Sequence, residues 1–119
     1  LKDSTTWGNY SNATFDITRG EYSATEGLWN KVNAKYTKPA KGVMLTTGAT
    51  QRNHTLNIYD LSGNVWEWIL EYTASSNGSC VSIGGASDNN GKEWPAFSRN
   101  YGYGVTFTHP VLGFRPVLY

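Results

Sequence analysis

The sequence contains a single cysteine, Cys80, among its 119 residues. An internal disulfide, a thiol-pair redox centre and a cysteine-based zinc site each need at least two cysteines, so this chain cannot form any of them by itself. Charge is also scarce. Lys and Arg total 10 and Asp and Glu total 9, which gives a net charge of +1. This balance argues against a nucleic-acid partner and against a polybasic membrane patch.

Long apolar runs are absent as well. No stretch approaches the roughly 20 residues of a membrane span, and none has the apolar core of a signal peptide. We therefore expect no direct membrane insertion by this chain. The sequence begins at Leu1 rather than Met, and we expect a processed product or an excised piece, with any export signal or anchor lying upstream.

Aromatic residues and glycine are abundant instead. The chain has five Trp, eight Tyr and thirteen Gly, and residues that favour β-strands outweigh any helical pattern. A length of 119 residues suits one domain with one core. We predict a single domain over residues 1–119 of the α+β class, mainly β-strand and loop, with no helix longer than two turns.

The stretch from Asn57 to Tyr72 is predicted to organise the fold as strand, turn and strand. Ser62-Gly63-Asn64 forms the predicted turn, because Gly and Asn tolerate positive φ. From Val65 the pattern has period two, which places Trp66, Trp68, Leu70 and Tyr72 on one face and Val65, Glu67, Ile69 and Glu71 on the other. Two tryptophans on one face predict a core anchor.

Shorter segments are predicted to complete the sheet. Strands are expected at 13–17, 43–47 and 80–83, and the alternation in 112–119 predicts a final strand, in which Pro116 suits either an edge position or a bulge. Residues 28–32 suit either a strand or one helical turn. Segments 18–27, 36–42 and 48–55 are predicted to be turns and loops.

Residues 86–110 show little periodicity, and a loop of this length is usually functional or disordered. Its many aromatic residues argue against disorder. The mixture of Tyr, Trp, Asn, Ser and Gly is typical of binding loops. We assign Trp94 and Phe97 mainly to the core, and leave Tyr101, Tyr103, Phe107 and His109 open between core and surface.

Four short sequences occur in a recognisable order: Asn57 to Trp68 (NIYDLSGNVWEW), Gly84-Gly85, Arg99 and Gly113-Phe114-Arg115. Together they resemble the C-terminal half of the formylglycine-generating-enzyme (sulfatase-modifying factor) family, a variant of the C-type lectin fold. The resemblance covers residues 57–119. It implies a C-type lectin-like fold, of which the N-terminal part is absent from this chain or not recognisable in it.

Within that family the chain is most similar to bacterial and phage display proteins. Some of them are diversified near the C-terminus by diversity-generating retroelements, and others carry pilin-like N-termini. Residues 7–16 also resemble such proteins. The family's enzymes use cysteines near the segment that corresponds to 91–99, and no cysteine occurs there. The resemblance therefore implies a non-catalytic protein, and we expect no enzymatic activity.

The resemblance also implies a metal hypothesis. Family members that bind calcium use the positions corresponding to Asp60, Gly63, Val65 and Glu67, which together supply the oxygen ligands that Ca²⁺ prefers. The alternative is that Glu67 forms a buried ion pair with Arg115 while Asp60 caps the turn at Ser62-Gly63. Both alternatives stay open in the sequence. No cofactor is expected to be required, with structural calcium as the one candidate.

We predict ligand binding by an extracellular, cell-surface or virion protein that recognises a protein or glycan. The variable or binding loops are predicted at 86–110, because strands on either side hold the backbone there while exposed side chains vary. The predicted ligand-binding residues are Asp88, Asn89, Asn90, Lys92, Glu93, Asn100, Tyr101, Tyr103, Thr106, Phe107 and His109.

Two alternatives to this function remain. One is a structural pilus or tail subunit, in which the same loops pack against neighbouring subunits. The other is an enzyme of the same superfamily with a mechanism that needs no cysteine. Such an enzyme requires a pocket with at least two convergent titratable groups, for which the loop region offers only Asp88, Lys92, Glu93 and His109.

Overall fold

The computed structural model describes residues 2–25, 27–74 and 80–116. Within this part of the chain the structure is mainly β, and the one helical element is a single 3₁₀ turn at Gln51–Asn53. The strands are β1 (Phe15–Ile17), β2 (Glu21–Thr25), β3 (Leu28–Lys31), β4 (Tyr36–Lys38), β5 (Met44–Leu45), β6 (His54–Thr55), β7 (Ile58–Tyr59), β8 (Trp66–Tyr72), β9 (Cys80–Ile83), β10 (Arg99–Tyr103) and β11 (Leu112–Phe114).

The largest sheet has four strands in the order β10-β9-β8-β11. Strand β8 pairs antiparallel with β9 and parallel with β11, and β9 pairs antiparallel with β10. The N-terminal half forms a three-stranded sheet, β3-β2-β5, and the two-stranded pair β1-β4. The short hairpin β6-β7 lies between the two halves in sequence.

The hydrophobic core belongs to the N-terminal half. Its buried cluster consists of Tyr10, Ala13, Phe15, Ile17, Val43, Leu45 and Ala49, with Tyr22, Val32 and Tyr36 packed against it. Tyr22 and Tyr36 stack with ring centroids 4.3 Å apart. Short strands with alternating burial, such as Phe15 and Ile17 around Asp16, direct these side chains inward.

A buried polar network connects this core to the turn before β8. The Asn9 side-chain amide donates to the Val43 carbonyl at 2.7 Å and to Asn64 Oδ1 at 3.0 Å. Asn64 in turn accepts from Leu45 N–H and donates to the Leu45 carbonyl. Because buried amides are costly when unpaired, this network fixes the position of the turn relative to β5.

The Tyr10 side chain makes the second connection. Its phenol is fully buried, donates to the Gly84 carbonyl at 2.7 Å and lies 2.5 Å from Ser62 Oγ. Burial raises the pKa of Tyr10 to about 12, partly offset by its hydrogen bonds. One residue of the N-terminal core thereby contacts both the turn before β8 and the residue that follows β9.

Lys38 is a fully buried cation of the same half. Its ammonium donates to the carbonyls of Tyr10, Ala13 and Pro39. Burial, together with the nearby Arg52 charge, lowers the pKa of Lys38 to about 8. The two cations contact the Phe15 ring, Arg52 at 4.4 Å and Lys38 at 5.4 Å from its centroid.

Several predictions from the sequence are confirmed. The mainly-β class holds, and strands occur within 13–17, 43–47 and 112–116 and over the whole of 80–83. The turn at Ser62-Gly63-Asn64 has positive φ at Gly63 and Asn64. A Cβ at Gly63 would lie 2.3 Å from the Asn9 carbonyl oxygen, so only glycine fits this crossing. Residues 117–119 of the predicted final strand lie outside the described residues.

Other predictions are wrong. Segments 18–27, 36–42 and 48–55, predicted as loops, contain β2, β4 and β6, whereas residues 28–32, left open between a strand and a helical turn, contain strand β3 at Leu28–Lys31. Residues 86–110 contain β10. Strand pairing overrides the turn-forming composition of these segments, because partners far away in sequence supply hydrogen bonds that a local pattern does not reveal.

The predicted core anchor on β8 is only partly correct. Trp66 is buried and Trp68 half-buried, but Leu70 and Tyr72 on the same strand are exposed. Neither tryptophan belongs to the core cluster. The period-two pattern identified the strand but not which face the fold covers. Among the described residues, no helix is long and apolar enough to cross a membrane.

Candidate functional site

An open cavity of about 230 Å³ lies over one end of the four-stranded sheet. We call it the aromatic cleft. It is lined by aromatic rings, aliphatic side chains and a few polar groups: Trp66, Asp88, Asn89, Trp94, Asn100, Tyr103, Phe107, His109, Val111 and Leu112. Its lining thus combines several rings with a single carboxylate and contains neither Lys nor Arg.

Strand pairing brings the floor of the cleft together. Leu112 on β11 is opposite Trp66 on β8, and Asn100 on β10 is opposite Ser82, which is opposite Trp68. Side chains at directly opposite positions share a face of a sheet. Residues distant in sequence therefore meet on one face of the sheet.

The rings of the cleft form two groups. Tyr103 and Phe107 stack at 4.2 Å with an interplanar angle of 14°, and His109 lies parallel to Phe107 at 6.3 Å. Trp66 and Trp94 meet edge to face at 5.4 Å. Trp68 supports Tyr103 from beneath in another edge-to-face contact at 6.0 Å. Such pairs fix one another's position, so the cleft is preorganised.

The N-terminal segment holds the loop that forms one wall. Ser4 N–H donates to the Gly91 carbonyl, and Ser4 Oγ accepts from Ala96 N–H. Asn12 Oδ1 accepts from Gly91 N–H, while its amide donates to Asn90 Oδ1 at 3.2 Å. These contacts join residues 78 to 92 positions apart and make loop 86–98 an ordered part of the fold.

Some polar side chains of the cleft already form hydrogen bonds and, among the described residues, one does not. Asn100 Nδ2 donates to the Tyr103 hydroxyl at 3.1 Å, and His109 Nδ1 accepts from Val111 N–H at 3.4 Å. The neutral His109 ring would then carry its proton on Nε2. Within the described part of the chain, no hydrogen bond or ion pair engages the Asp88 carboxylate, which is exposed.

Six of the eleven predicted binding residues line the cleft: Asp88, Asn89, Asn100, Tyr103, Phe107 and His109. Asn90, Lys92, Glu93, Tyr101 and Thr106 do not line it. Asn90 has an internal role, because its Oδ1 accepts from Lys92 N–H in a local turn. Asn89 Oδ1 likewise accepts from Ala86 N–H. Both asparagines shape the loop.

The assignment of Trp94 and Phe97 mainly to the core is wrong. Phe97 is 53% exposed and Trp94 is 38% exposed, and Trp94 lines the cleft. Trp66, Val111 and Leu112 also line it but were not predicted to bind. The period-two pattern favoured a core role for Trp66, and only the loops packed over β8 distinguish a cleft floor from a core.

The two acidic residues proposed for calcium have other partners. Glu67 receives two hydrogen bonds from Arg115, at 2.5 and 3.2 Å, and this ion pair is half-buried. Arg115 also donates to the carbonyls of Tyr59 and Asp60. The predicted alternative, a Glu67–Arg115 pair, is therefore present in the structure, with less burial than expected.

Asp60 does not cap the turn at Ser62-Gly63, contrary to that alternative. Its carboxylate accepts from Asn53 Nδ2 at 3.0 Å and from Gly48 N–H at 3.2 Å. Burial raises the pKa of Asp60, and these hydrogen bonds oppose the rise. The donor set as arranged does not fit Ca²⁺ unless Arg115 moves, because the guanidinium already neutralises Glu67. Calcium binding through Asp60, Gly63, Val65 and Glu67 stays a prediction.

Within the described residues, no three His, Cys, Asp or Glu side chains come together as a metal site. Comparisons of the chain with family models, with curated proteins and with solved structures found no match. The resemblance drawn from residues 57–119 therefore stays a prediction. The chemistry of the residues that line the cleft is therefore the basis for a functional proposal.

Proposed function

We propose that the chain is a non-catalytic ligand-binding domain of a surface-displayed bacterial or phage protein, with a C-type lectin-like fold of the formylglycine-generating-enzyme type. It binds a protein or glycan through loops between Ala86 and Pro110. The single observation that carries this proposal is the aromatic cleft, where residues of those loops converge with Trp66. Concave surfaces lined by rings and a few polar groups are the usual form of ligand sites.

Exposure supports the same proposal. Trp94, Phe97, Tyr101, Val105 and Phe107 are all exposed within these loops, and contiguous exposed apolar surface marks interaction sites. The N-terminal contacts to Gly91 and Ala96 hold the loop in place before any ligand arrives. A preorganised site loses less conformational entropy on binding than a flexible loop does.

Labelled protein on arrays of immobilised glycans and bacterial surface proteins tests the proposal. We expect saturable binding to a defined subset of spots. Phe107→Ala, in the cleft, should weaken it at least tenfold, while Phe97→Ala, at an exposed ring outside the cleft lining, should not. The proposal fails if wild type binds nothing, or if both variants bind as wild type does.

A structural subunit is the second candidate function. Leu70, Tyr72 and Phe114 are exposed on the four-stranded sheet, outside the cleft lining, and such a face suits packing against a neighbouring subunit. Sedimentation of the wild type and of Leu70→Ser would separate the two functions. Self-association that Leu70→Ser abolishes would favour the subunit.

The enzyme alternative rests on one observation only. Asp88 and His109 both line the cleft, which meets the minimum requirement of two titratable groups in one pocket, whereas Lys92 and Glu93 lie outside its lining. The expected absence of catalysis stays a prediction. Turnover of any arrayed ligand that His109→Gln abolishes would contradict it.

A further inference from the structure

We infer that the aromatic cleft binds a methylated ammonium group, and this inference rests on the proposed ligand-binding function. The charge of the lining is the starting point. Asp88 is its only formal charge, and neither Lys nor Arg is among the lining residues. A ligand centred on an anion would meet no counter-charge there, whereas a cation meets a carboxylate that has no partner within the described part of the chain.

The rings select the kind of cation. The negative faces of aromatic rings attract cations at about 6 Å or less, most strongly when the site is desolvated. Trp66, Trp94, Tyr103 and Phe107 all contribute to the cleft, and the rings of Trp66 and Trp94 are nearly perpendicular to each other, with an interplanar angle of 77°. Rings from several directions surround a compact cation better than they stack on one flat ligand.

Methylation of the ammonium follows from hydrogen-bonding capacity. A primary ammonium has three N–H donors, each of which needs an acceptor when it leaves water. His109 Nδ1 already accepts from Val111 N–H, and Asn100 uses its Nδ2 as a donor to Tyr103, so among these side chains a primary ammonium would find only the Asp88 carboxylate and the Asn100 side-chain oxygen as acceptors left unengaged by the described residues. A quaternary ammonium has no donor to satisfy, and its methyl groups pack against the rings.

Size supports a headgroup rather than a large ligand. The cleft volume of about 230 Å³ is below the range of about 300–1,000 Å³ typical of drug-sized sites. A second cavity is adjacent to the cleft, because it shares the lining residues Asp88, His109 and Val111, and it is bordered by Gly42 and Met44. A ligand could place its ammonium among the rings and extend past Asp88 into this second cavity.

Titration with choline tests the inference, and it is followed by the fluorescence of the five tryptophans, of which Trp66 and Trp94 line the cleft. The matched probe is 3,3-dimethylbutanol, which has the same shape without the charge. We expect saturable binding of choline and at least tenfold weaker binding of the neutral probe, because the probe lacks the positive charge that the ring faces attract; tenfold corresponds to about 1.4 kcal/mol. Equal binding of both probes, or no saturable choline binding, would overturn the inference.

Variants locate the site. Asp88→Asn should weaken choline binding roughly tenfold, whereas Glu93→Gln, an exposed acidic residue outside the cleft lining, should leave it unchanged. Equal effects of both would overturn the inference. Thermal unfolding of each variant confirms that it folds. Phosphocholine and trimethyl-lysine then distinguish a headgroup from a modified protein side chain, and saturable binding of either supports the class.

The experiments distinguish failure of the methylated-ammonium inference from failure of the proposed ligand-binding function. If an arrayed glycan or protein binds in a Phe107-dependent manner and choline does not, the methylated-ammonium inference fails and the ligand-binding function stands. If choline fails and no array ligand binds, both fail.

Discussion

The two halves of the described chain treat large side chains differently. Between Tyr10 and Ala49 a cluster of hydrophobic residues is almost completely buried, and polar groups such as Lys38 are buried with it. Between Trp66 and Phe114 many large apolar side chains stand at the surface, including several rings of the cleft, although Trp66 and Val81 are buried there and Leu28 and Trp29 are exposed in the first half. The difference indicates that the first half supplies stability and the second supplies a recognition surface.

The polar network between the halves gives the sharpest test of this division. Asn64→Ala removes its hydrogen bonds with Asn9 and Leu45 and leaves buried backbone groups unpaired, so we expect a loss of about 4 kcal/mol in the free energy of unfolding. Asn57→Ala is the matched control, because Asn57 also has positive φ but is exposed. Urea denaturation should show about 1 kcal/mol or less for the control. Equal losses would mean that backbone strain alone explains the effect.

A Leu→Ala substitution in each half compares the contributions of the two halves to stability directly. Leu45 is 3% exposed and Leu70 is fully exposed. Leu45→Ala should therefore cost about 3 kcal/mol, and Leu70→Ala less than about 0.5 kcal/mol. Urea denaturation of both variants measures this. A large cost at Leu70 would show that the sheet face is covered in solution, as the subunit function requires.

The C-terminal half contains one half-buried ion pair and one more exposed ion pair, whose contributions to stability can be compared. Glu67→Gln should cost about 2 kcal/mol, because Arg115 loses its counter-charge in a half-buried place. Glu71→Gln should cause no measurable change, since the Glu71–Arg99 pair is more exposed. Equal melting temperatures for the two variants would contradict this account.

The Glu67–Arg115 pair also bears on the calcium prediction, because Glu67 is one of the proposed calcium ligands. If Glu67 is neutralised by Arg115, a chelator should not change the melting temperature of the wild type. A fall in melting temperature that Glu67→Gln abolishes would support the calcium prediction instead.

The last comparison is a pH dependence that originates in the N-terminal core. The pKa of Lys38 is lowered to about 8 from an ordinary 10.5, so the unfolded chain binds more protons between these values and stability rises from about pH 8. The pKa of Tyr10 is raised to about 12 from 10.0, so stability falls above pH 10. Stability should therefore be highest near pH 10.

Lys38→Met should abolish the rise between pH 8 and 10, and Lys41→Met, at an exposed lysine, should keep it. Urea midpoints measured across this range provide the comparison. A rise that persists in Lys38→Met would assign it to another group.

The sequence predicted the turns and strands that depend on neighbouring residues. The turn at Ser62-Gly63-Asn64 and the strand after it follow from glycine and asparagine at positive φ and from period-two alternation. Strands such as β2 and β10 were not predicted, because their pairing depends on partners distant in sequence. Six cleft residues were predicted from composition, but Trp66 required the loops that cover it.

The central claim is that the rings of the C-terminal half are there for binding and not for stability. Phe107→Ala tests it most directly when its dissociation constant for the strongest array ligand and its free energy of unfolding are measured together. We predict binding at least tenfold weaker than in Phe97→Ala, with a stability loss of about 1 kcal/mol or less from the lost stacking on Tyr103. Unchanged binding together with a loss of several kcal/mol would contradict the claim and place Phe107 in a second core.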